Sequence, residues 1–482
     1  MMSAPKITVQ AVELYERDVT LRLPFRFGVV TLTAAPQAFV RARIRTEAGV
    51  ESWGASADLL APKWFDKNAA LTNEQNFEQL RDAVRSAARA YTSDQTARTA
   101  FDHCAAHYTA HLEAGAKHGL NPLVASFGPA LLDRAVFDAL LRSTGLSFAT
   151  GTRANLAGMR VTALTPDLAG FDINGFLGGL TPVNTLGARH TVGLVDPLVA
   201  ADVQTALNDG LPETLEQVIA HYGQRYFKLK VGGDLASDID RLERIAAVLD
   251  RAREPYVATF DGNEQYDDID AVIALWVAMK ARPALDRLCR SIPYIEQPIR
   301  RSHAMQRSVA RLAAEKPLII DESDGQFSDF PDARALGYSG VSSKVCKGFY
   351  KSLLNTARCA LWNSRQSASP QSAPRFFMSA EDLTCQAGLA VQQDLALVAM
   401  IGVDHVERNG HHYVNGFAST GLGEQRAFAA AHPDLYHLDA ARARLRIENG
   451  VLKFASLDCA GFGSGAMPDW SNLRQIAVIA AH

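Results

Sequence analysis

The chain has 482 residues, which exceeds the needs of one small core and suits a large barrel with a second domain. Hydrophobic residues make up 48%, charged residues 21%, and the formal net charge is −3. Because nucleic acids and anionic membranes attract basic surfaces, this balance argues against both as partners. The six cysteines form no C-x-x-C pair and no long apolar run occurs, so we expect a cytoplasmic protein with free thiols.

The N-terminal part of the chain predicts strands followed by helices. Residues 6–57 alternate apolar and polar side chains, as the half-exposed strands of a meander do. Residues 73–118 and 130–141 have apolar side chains at helical spacing, and Gly145 is placed to end the second of these segments. Residues 146–187 predict a connector with little regular structure.

From about residue 190, short β-rich runs alternate with helical segments, which is typical of a (β/α)8 barrel. The eight runs are residues 190–195, 226–231, 256–261, 294–296, 318–322, 340–344, 375–380 and 405–407. We therefore predict an α/β protein in three parts: an α+β domain over residues 1–187, a (β/α)8-type TIM barrel over 188–416, and a segment over 417–482 that packs back on the first domain. Within that last segment, residues 438–442 have the pattern of a helix.

Two lysines share one face of the second β-rich run. In Tyr226-Phe-Lys-Leu-Lys-Val, strand alternation points Lys228 and Lys230 to the same side. Two neighbouring ammonium groups inside a strand are costly unless anionic groups face them. The pair therefore predicts acidic side chains nearby.

Polar side chains also end most of the other runs. They are Asp261, Glu296, Asp321 with Glu322, Lys344, Glu381 with Asp382, and Glu407. Because the ends of successive barrel strands converge on one mouth, we expect the acids to meet there with lysines on both sides. Three carboxylates from separate strands, those of Asp261, Glu296 and Asp321, make a hard oxygen site that suits Mg²⁺ rather than Zn²⁺.

Each of these residues also has an ordinary interpretation. An Asp at a strand end commonly caps a helix or forms a turn, Lys228 or Lys347 could be solvated, and we interpret Glu264 as solvated. The active-site hypothesis depends on the joint spacing, in which five positions are in phase with five consecutive strands. Adjacent residues of a strand point to opposite faces, so we interpret His411 and His412 as loop residues with at most one in the pocket.

Five short motifs together resemble the signature of the enolase superfamily. They are Lys228-Leu-Lys230, Asp261-Gly-Asn263, Glu296-Gln-Pro298, Asp321-Glu-Ser323 and Lys344-Val-Cys-Lys347. The chain looks most similar to the muconate lactonizing enzyme-like subgroup of the mandelate racemase/muconate lactonizing enzyme family. The resemblance covers residues 190–415, the helix at 130–141 and the meander at 6–57. It implies a modified enolase barrel with an α+β capping domain.

The resemblance implies a role for each matching residue. The ligands of Mg²⁺, with Mn²⁺ as a substitute, would be Asp261, Glu296 and Asp321. Lys230 and Lys344 would be acid/base residues on opposite faces of the substrate, and Lys228 would lower the pKa of Lys230 by like-charge repulsion. Asn263 and Glu322 would be supporting polar groups. The substrate would be chosen by residues 24–32 and 56–64 and by the seventh and eighth strand ends, which carry Glu381, Asp382 and Glu407.

The implied chemistry is removal of the proton next to a carboxylate, which is weakly acidic because its loss puts a second negative charge on that group. Mg²⁺ and Lys228 would stabilise the enediolate, and the lysine that serves as base needs a lowered pKa. Lysines on both faces permit racemisation or epimerisation, and equally dehydration or cycloisomerisation. The family implies a small-molecule carboxylate substrate and a homo-oligomer, a dimer or larger. If Glu381 and Asp382 face the pocket, they would disfavour a strongly anionic distal group on the substrate.

The same residues suggest two alternative functions. In an aldolase-type barrel, Lys230 or Lys344 would form a Schiff base with a carbonyl substrate, which explains a lysine at a strand end but not three carboxylates. In a non-catalytic barrel retained as a binding protein, some of the acids and lysines should be missing, whereas all of them are present.

Overall fold

The computed structural model describes residues 4–27, 30–366 and 375–481. Its N-terminal part is an antiparallel meander of three strands, β1 (Ile7–Phe27), β2 (Val30–Thr46) and β3 (Glu51–Leu59). The predicted meander is therefore present. Buried and less buried residues alternate at both ends of β1, whereas residues 35–40 of β2 are all buried.

Three helices follow this sheet: α1 (Asn73–Ser93), α2 (Ala100–Lys117) and α3 (Pro122–Thr144). α1 and α3 pack on the strands, and α2 packs on α1 and α3. The helical pattern over residues 73–118 is divided in two, because Thr99 caps the start of α2 by accepting a hydrogen bond from the backbone N–H of Asp102. α3 ends at Gly145, which adopts a φ of 69° as predicted for a C-cap. The segment at 146–187, predicted to have little regular structure, contains the short helices Phe148–Arg153 and Ile173–Gly178.

Eight parallel strands follow and form the barrel. They are β4 (Thr185–Val192), β5 (Tyr226–Lys230), β6 (Val257–Asp261), β7 (Ile295–Glu296), β8 (Leu318–Ile320), β9 (Gly340–Ser343), β10 (Phe377–Ala380) and β11 (His405–Arg408). Strands β4 to β10 pair in chain order, and β11 returns to pair with β4. β4 begins and ends earlier than predicted, and Val195 lies outside it and is exposed.

Helices lie between the barrel strands and continue beyond them. They are Leu215–Tyr222, Leu235–Leu249, Ile269–Lys280, Asp286–Ser291, Arg301–Ala304, Ala310–Ala313, Asp329–Ala335, Phe349–Gln366, Leu389–Val398, Gly410–Tyr413 and Leu422–Ala431. In the part of the chain that the structure describes, no helix combines the length and apolar character needed to cross a bilayer.

The C-terminal segment contributes strands to both sheets. It contains β12 (Tyr436–Leu438), β13 (Ala443–Leu445), β14 (Ile447–Glu448), β15 (Val451–Lys453) and β16 (Arg474–Ala480). β15 pairs antiparallel with β4 of the barrel, and β16 pairs antiparallel with β1. The helix predicted at 438–442 is wrong, because Asp439 accepts hydrogen bonds from the N–H groups of Ala441 and Arg442 and forms a turn between β12 and β13. The division of the chain at residues 187 and 416 stays a prediction.

Candidate active site

Five buried charged side chains meet where five neighbouring barrel strands end. β5, β6 and β7 end on Lys230, Asp261 and Glu296. Asp321 and Lys344 directly follow β8 and β9. The strand register pairs Lys230 with Asp261, and Asp261 with Glu296, so these side chains stand next to one another. All five residues are more than nine-tenths buried. The structure therefore brings these strand-end residues together at one mouth of the barrel.

The ammonium group of Lys228 lies among four carboxylates. Its Nζ is 2.9 Å from Asp261, 2.8 Å from Glu296, 2.7 Å from Glu381 and 3.1 Å from Glu407. Burial by itself would lower the pKa of Lys228, but the carboxylates outweigh burial and hold that pKa well above its ordinary value. Lys228 is therefore a fixed buried charge and not a solvated side chain.

Lys230 contacts the same acid as Lys228. Its Nζ lies 2.5 Å from Oδ2 of Asp261, the oxygen that Lys228 also approaches. The other oxygen of Asp261 accepts a hydrogen bond of 2.8 Å from the backbone N–H of Asn263. Burial raises the pKa of Asp261, but the two lysines lower it further, and the result lies below its ordinary value. An acid thus stands between the two ammonium groups.

Lys344 and Lys347 flank Asp321 on the other side of the site. The Lys344 ammonium contacts the Asp321 carboxylate and lies 4.6 Å from the ring centre of Trp64. Lys347 Nζ is 3.1 Å from Oδ1 of Asp321 and donates a 2.8 Å hydrogen bond to Ser342. Burial lowers the pKa of Lys344, but Asp321 raises it more, to above its ordinary value. The lowered pKa that we predicted for a catalytic lysine is therefore not found at Lys344 while this contact is made.

The acids predicted to bind Mg²⁺ have suitable chemistry, but the lysines stand between them. Within the described ranges, no choice of one carboxylate oxygen each from Asp261, Glu296 and Asp321 brings all three oxygens within 4.8 Å of one another. Burial, with Asp261 and Glu381 nearby, raises the pKa of Glu296 well above its ordinary value. A divalent ion bound by these carboxylates would offset that cost. Three carboxylates are an all-oxygen donor set, which fits a hard divalent ion such as Mg²⁺.

A second group of charges ties the segment after β3 to the barrel mouth. Lys67 Nζ lies 2.7 Å from Glu264 and 3.8 Å from Glu322, which also accepts a 3.3 Å hydrogen bond from the Asn263 side chain. Arg301 lies 2.8 Å from Glu264. Our interpretation of Glu264 as solvated is wrong, since it is 4% exposed and bound by two cations. The sequence pattern did not mark Lys67 or Arg301, because each partner is distant in the chain.

The acids at the seventh and eighth strand ends are balanced from within the barrel. Arg189 of β4 contacts Glu381, and Arg408 lies 3.3 Å from Asp382. Glu407 accepts a 2.6 Å hydrogen bond from the Thr191 hydroxyl as well as contacting Lys228. The charge of Glu381 is thus matched by Arg189 and Lys228 and does not face an open pocket. The predicted repulsion of an anionic substrate group consequently has no basis at Glu381.

The neighbouring histidines His411 and His412 do not lie in a loop. Both are buried in the short helix Gly410–Tyr413, where their rings lie 5.5 and 4.8 Å from the ring of His190. His411 lines a separate cavity of about 170 Å³, and neither residue lines the cavity at the barrel mouth. Our interpretation of the pair as loop residues is therefore wrong.

The cavity at the barrel mouth is small and partly apolar. Its lining residues are Phe25, Phe27, Leu32, Ala61, Trp64, Lys228, Lys230, Asn263, Lys344, Asp382, Leu383, Thr384, Glu407 and Asn409. The predicted substrate-choosing segments 24–32 and 56–64 both contribute, although residues 28 and 29 lie outside the described residues. The cavity has a volume of about 30 Å³, and both apolar and charged side chains face it.

Comparison with known proteins adds evidence on the fold. No known family profile and no curated protein sequence matches the chain. A solved dipeptide epimerase from Cytophaga hutchinsonii, complexed with Mg and the dipeptide D-Ala-L-Val, aligns with a TM-score of 0.59 at 15% identity and covers 98% of this chain and 100% of its own. A muconate lactonizing enzyme from Mycobacterium smegmatis, complexed with muconolactone, aligns with a TM-score of 0.60 at 18% identity and the same coverage.

A third similar structure is a member of the enolase superfamily from Roseovarius nubinhibens ISM, complexed with magnesium. It aligns with a TM-score of 0.57 at 19% identity and covers 98% of this chain and 100% of its own. These identities are low, and the likeness extends over nearly the whole length of each chain. The chain therefore has the fold of the enolase superfamily, an α/β structure in which a modified (β/α)8 TIM barrel is joined to an α+β capping domain.

Proposed function

We propose that the chain is a Mg²⁺-dependent enzyme of the mandelate racemase/muconate lactonizing enzyme family that removes the proton next to the carboxylate of a small organic acid. One observation carries the proposal. Three buried acids lie on consecutive strand ends, Asp261, Glu296 and Asp321. Lys230 contacts the first of them, and Lys344 and Lys347 contact the last. Burying so many charges is costly, and a binding protein has no evident use for paired amines on both sides of the acids.

The lysines supply the proton transfers in this proposal. Lys230 and Lys344 approach the acids from opposite sides, so one can take a proton from one face of a bound acid while the other serves the opposite face. The lysine that acts as base must first leave its carboxylate partner and lose its proton, because an ammonium group cannot act as a base. The lysine on the opposite face must keep its proton to donate it. Lys228 keeps its charge and would face the negative charge that develops on the substrate.

Mg²⁺ would be held by Asp261, Glu296 and Asp321, and when bound it would polarise the substrate carboxylate and make the neighbouring proton more acidic. Asn263 would hold Asp261 in place through its backbone N–H, and Glu322 would accept from its side chain. Phe25, Phe27 and Trp64 would exclude water from the reacting centre. Racemisation, epimerisation, cycloisomerisation and dehydration are alternative outcomes of the same first step. Mn²⁺ as substitute metal, a homo-oligomeric state and a cytoplasmic location stay predictions.

The test is solvent-deuterium exchange into a library of small carboxylic acids, including acid sugars, N-acylated amino acids and dipeptides, with Mg²⁺ present. We expect exchange at the carbon next to the carboxylate in at least one class, and loss of that exchange with EDTA. Exchange detects proton removal whatever the final product is. Absence of exchange across the library, together with no effect of Mg²⁺ on thermal stability, contradicts the proposal.

Lysine variants connect the reaction to this site. Lys230→Ala and Lys344→Ala should each reduce turnover by about a thousandfold or more, because removing an acid/base group costs about 10²–10⁴-fold. Lys280→Ala is the matched control, since Lys280 is half-exposed on a barrel helix and pairs with a surface acid. Treatment of the protein with borohydride in the presence of a carbonyl substrate distinguishes proton abstraction from the aldolase-type alternative. A trapped adduct on Lys230 or Lys344 would favour Schiff-base chemistry instead.

A further inference from the structure

Two histidines and an aspartate form a compact group in the capping domain, far from the barrel lysines in sequence. Asp94 follows the last residue of α1, and His103 and His107 lie one turn apart on α2. Residues four apart on a helix share a face, so both imidazoles point the same way. One ligand atom from each of the three residues lies within 4.8 Å of the other two.

His103 supplies a second and independent observation. Its side chain is fully buried, and its Nε2 lies 2.9 Å from the carbonyl oxygen of Ile7. Because a carbonyl accepts, Nε2 carries the proton, and Nδ1 is left with a lone pair. Among the described residues, Nδ1 has no hydrogen-bond partner. A buried imidazole whose other nitrogen donates to a backbone carbonyl has the arrangement that metal-binding histidines have.

We propose that Asp94, His103 and His107 bind a divalent transition-metal ion of the Zn²⁺ type. Nε2 of His107 and Oδ2 of Asp94 are joined by a 3.0 Å hydrogen bond. An ion would replace the shared proton with only a small movement, because two ligands of a tetrahedral Zn²⁺ lie about 3.3 Å apart. Two imidazoles and one carboxylate favour Zn²⁺ over Mg²⁺, in contrast to the all-oxygen set in the barrel. Water would complete the coordination.

The ion would stabilise the junction between the two helices and the sheet. Asp94 belongs to the end of α1, the histidines belong to α2, and His103 is hydrogen-bonded to Ile7 at the start of β1. Ile7 also pairs with Arg98 through two backbone hydrogen bonds, of 2.7 and 3.1 Å. Metal binding at this point would therefore join three elements of the capping domain and raise its resistance to unfolding.

Arg98 competes with the ion in this arrangement. Its Nε lies 2.9 Å from the Asp94 oxygen that His107 also approaches, and its side chain is one-third exposed. An ion would displace the guanidinium toward solvent. Arg98→Gln removes the competing charge and keeps the backbone pairing with Ile7, so this variant should bind Zn²⁺ several-fold more tightly than the wild-type protein.

The experiment is equilibrium dialysis of the metal-stripped full-length protein against Zn²⁺, in Mg²⁺ sufficient to occupy oxygen-ligand sites, with thermal unfolding in parallel. We expect one equivalent of Zn²⁺ to bind and to raise the melting temperature. His107→Ala and Asp94→Asn should lose affinity about tenfold or more, whereas His118→Ala, an exposed histidine at the end of α2, should not. His107 is partly exposed, so its removal leaves the buried His103 in place.

Three results would overturn the inference. They are equal Zn²⁺ stoichiometry and affinity in the wild-type protein and His107→Ala, failure of the wild-type protein to bind Zn²⁺ at all, and weaker binding in Arg98→Gln. Cobalt substitution gives a further readout, because Co²⁺ bound by nitrogen ligands in a tetrahedral site has visible absorption that the His107→Ala variant should lack. Activity of the barrel site is not part of any of these measurements.

Discussion

Nζ of Lys228 lies 3.0 Å from Oε1 and 2.8 Å from Oε2 of Glu296, so one ammonium group covers both oxygens of a predicted metal ligand. Both side chains are almost completely buried. The lysine therefore provides the charge that this carboxylate needs, and a metal ion would have to share that role. Removal of the Lys228 charge should therefore lower the stability of the metal-free protein and increase its stabilisation by Mg²⁺.

Lys228→Met should lower the stability of the protein in EDTA and increase its stabilisation by Mg²⁺. Removing one partner of a buried ion pair costs about 3–5 kcal/mol, because the other charges stay buried without it. Mg²⁺ would then relieve a larger repulsion than in the wild-type protein. Thermal unfolding with and without Mg²⁺ measures both effects. Lys280→Met, at a surface ion pair, should change stability by less than about 1 kcal/mol. An unchanged Mg²⁺ effect in Lys228→Met would contradict the assignment of Glu296.

Trp64 should contribute to catalysis through Lys344. The Lys344 ammonium lies 4.6 Å from the Trp64 ring centre, and such cation–π contacts contribute about 0.5–2 kcal/mol. Trp64→Ala should therefore reduce kcat/KM about tenfold, whereas Trp64→Phe keeps an aromatic face and should retain most of the activity. Steady-state kinetics on the substrate found by deuterium exchange measure this. Trp53→Ala is the control, because it removes a ring of β3 that stacks on Arg41 of β2. Equal losses in Trp64→Ala and Trp53→Ala would exclude a specific role for Trp64.

Asp133 should make stability depend on pH. This carboxyl group is buried in α3, where it accepts a 2.6 Å hydrogen bond from Tyr91, and burial raises its pKa to about 7. The folded protein therefore keeps a proton that the unfolded chain releases above about pH 4. The contribution of Asp133 to stability is complete below about pH 4 and is lost as the pH rises to about 7.

Asp133→Asn removes this titration. Relative to the wild-type protein, the variant should gain stability between pH 4 and pH 8 by about 4 kcal/mol, at about 1.4 kcal/mol per pH unit across the window. Urea unfolding at several pH values gives the difference. Asp82→Asn, at an exposed position on α1, should follow the wild-type pH dependence. Parallel curves for Asp133→Asn and the wild-type protein would show that Asp133 is ionised in the folded state.

Gly54 should be intolerant of any side chain. It lies in β3, where an added Cβ would overlap the backbone of Ala135 and Ala139 in α3. Gly54→Ala should therefore destabilise the capping domain by about 3 kcal/mol, since the backbones cannot separate without losing packing elsewhere. Gly423→Ala is the matched control, because Gly423 is in the helix Leu422–Ala431 with open space around it. We expect the control to keep or slightly increase the melting temperature. Similar melting temperatures for both variants would contradict the close approach.

Much of the candidate site was predictable from the sequence, because a barrel strand with its following helix has a nearly constant length. Lys230, Asp261 and Glu296 recur at that period, and the structure ends β5, β6 and β7 on them. By contrast, the partners of Glu264 were not predictable, since Lys67 comes from the capping domain and Arg301 from a helix after β7. The contact of Asp94 with His107 was not predictable either, since it depends on the turn between α1 and α2.

The order of strands and the type of residue at each strand end are properties of the sequence alone, because side-chain alternation and βα-unit length are local. The tertiary structure decided which charge faces which. It placed Lys228 among four acids, set Asp321 between Lys344 and Lys347, and brought two histidines of α2 beside Asp94. These contacts join different elements of the fold, and those of Lys228 and Asp321 are almost completely buried, so only the packed structure determines them.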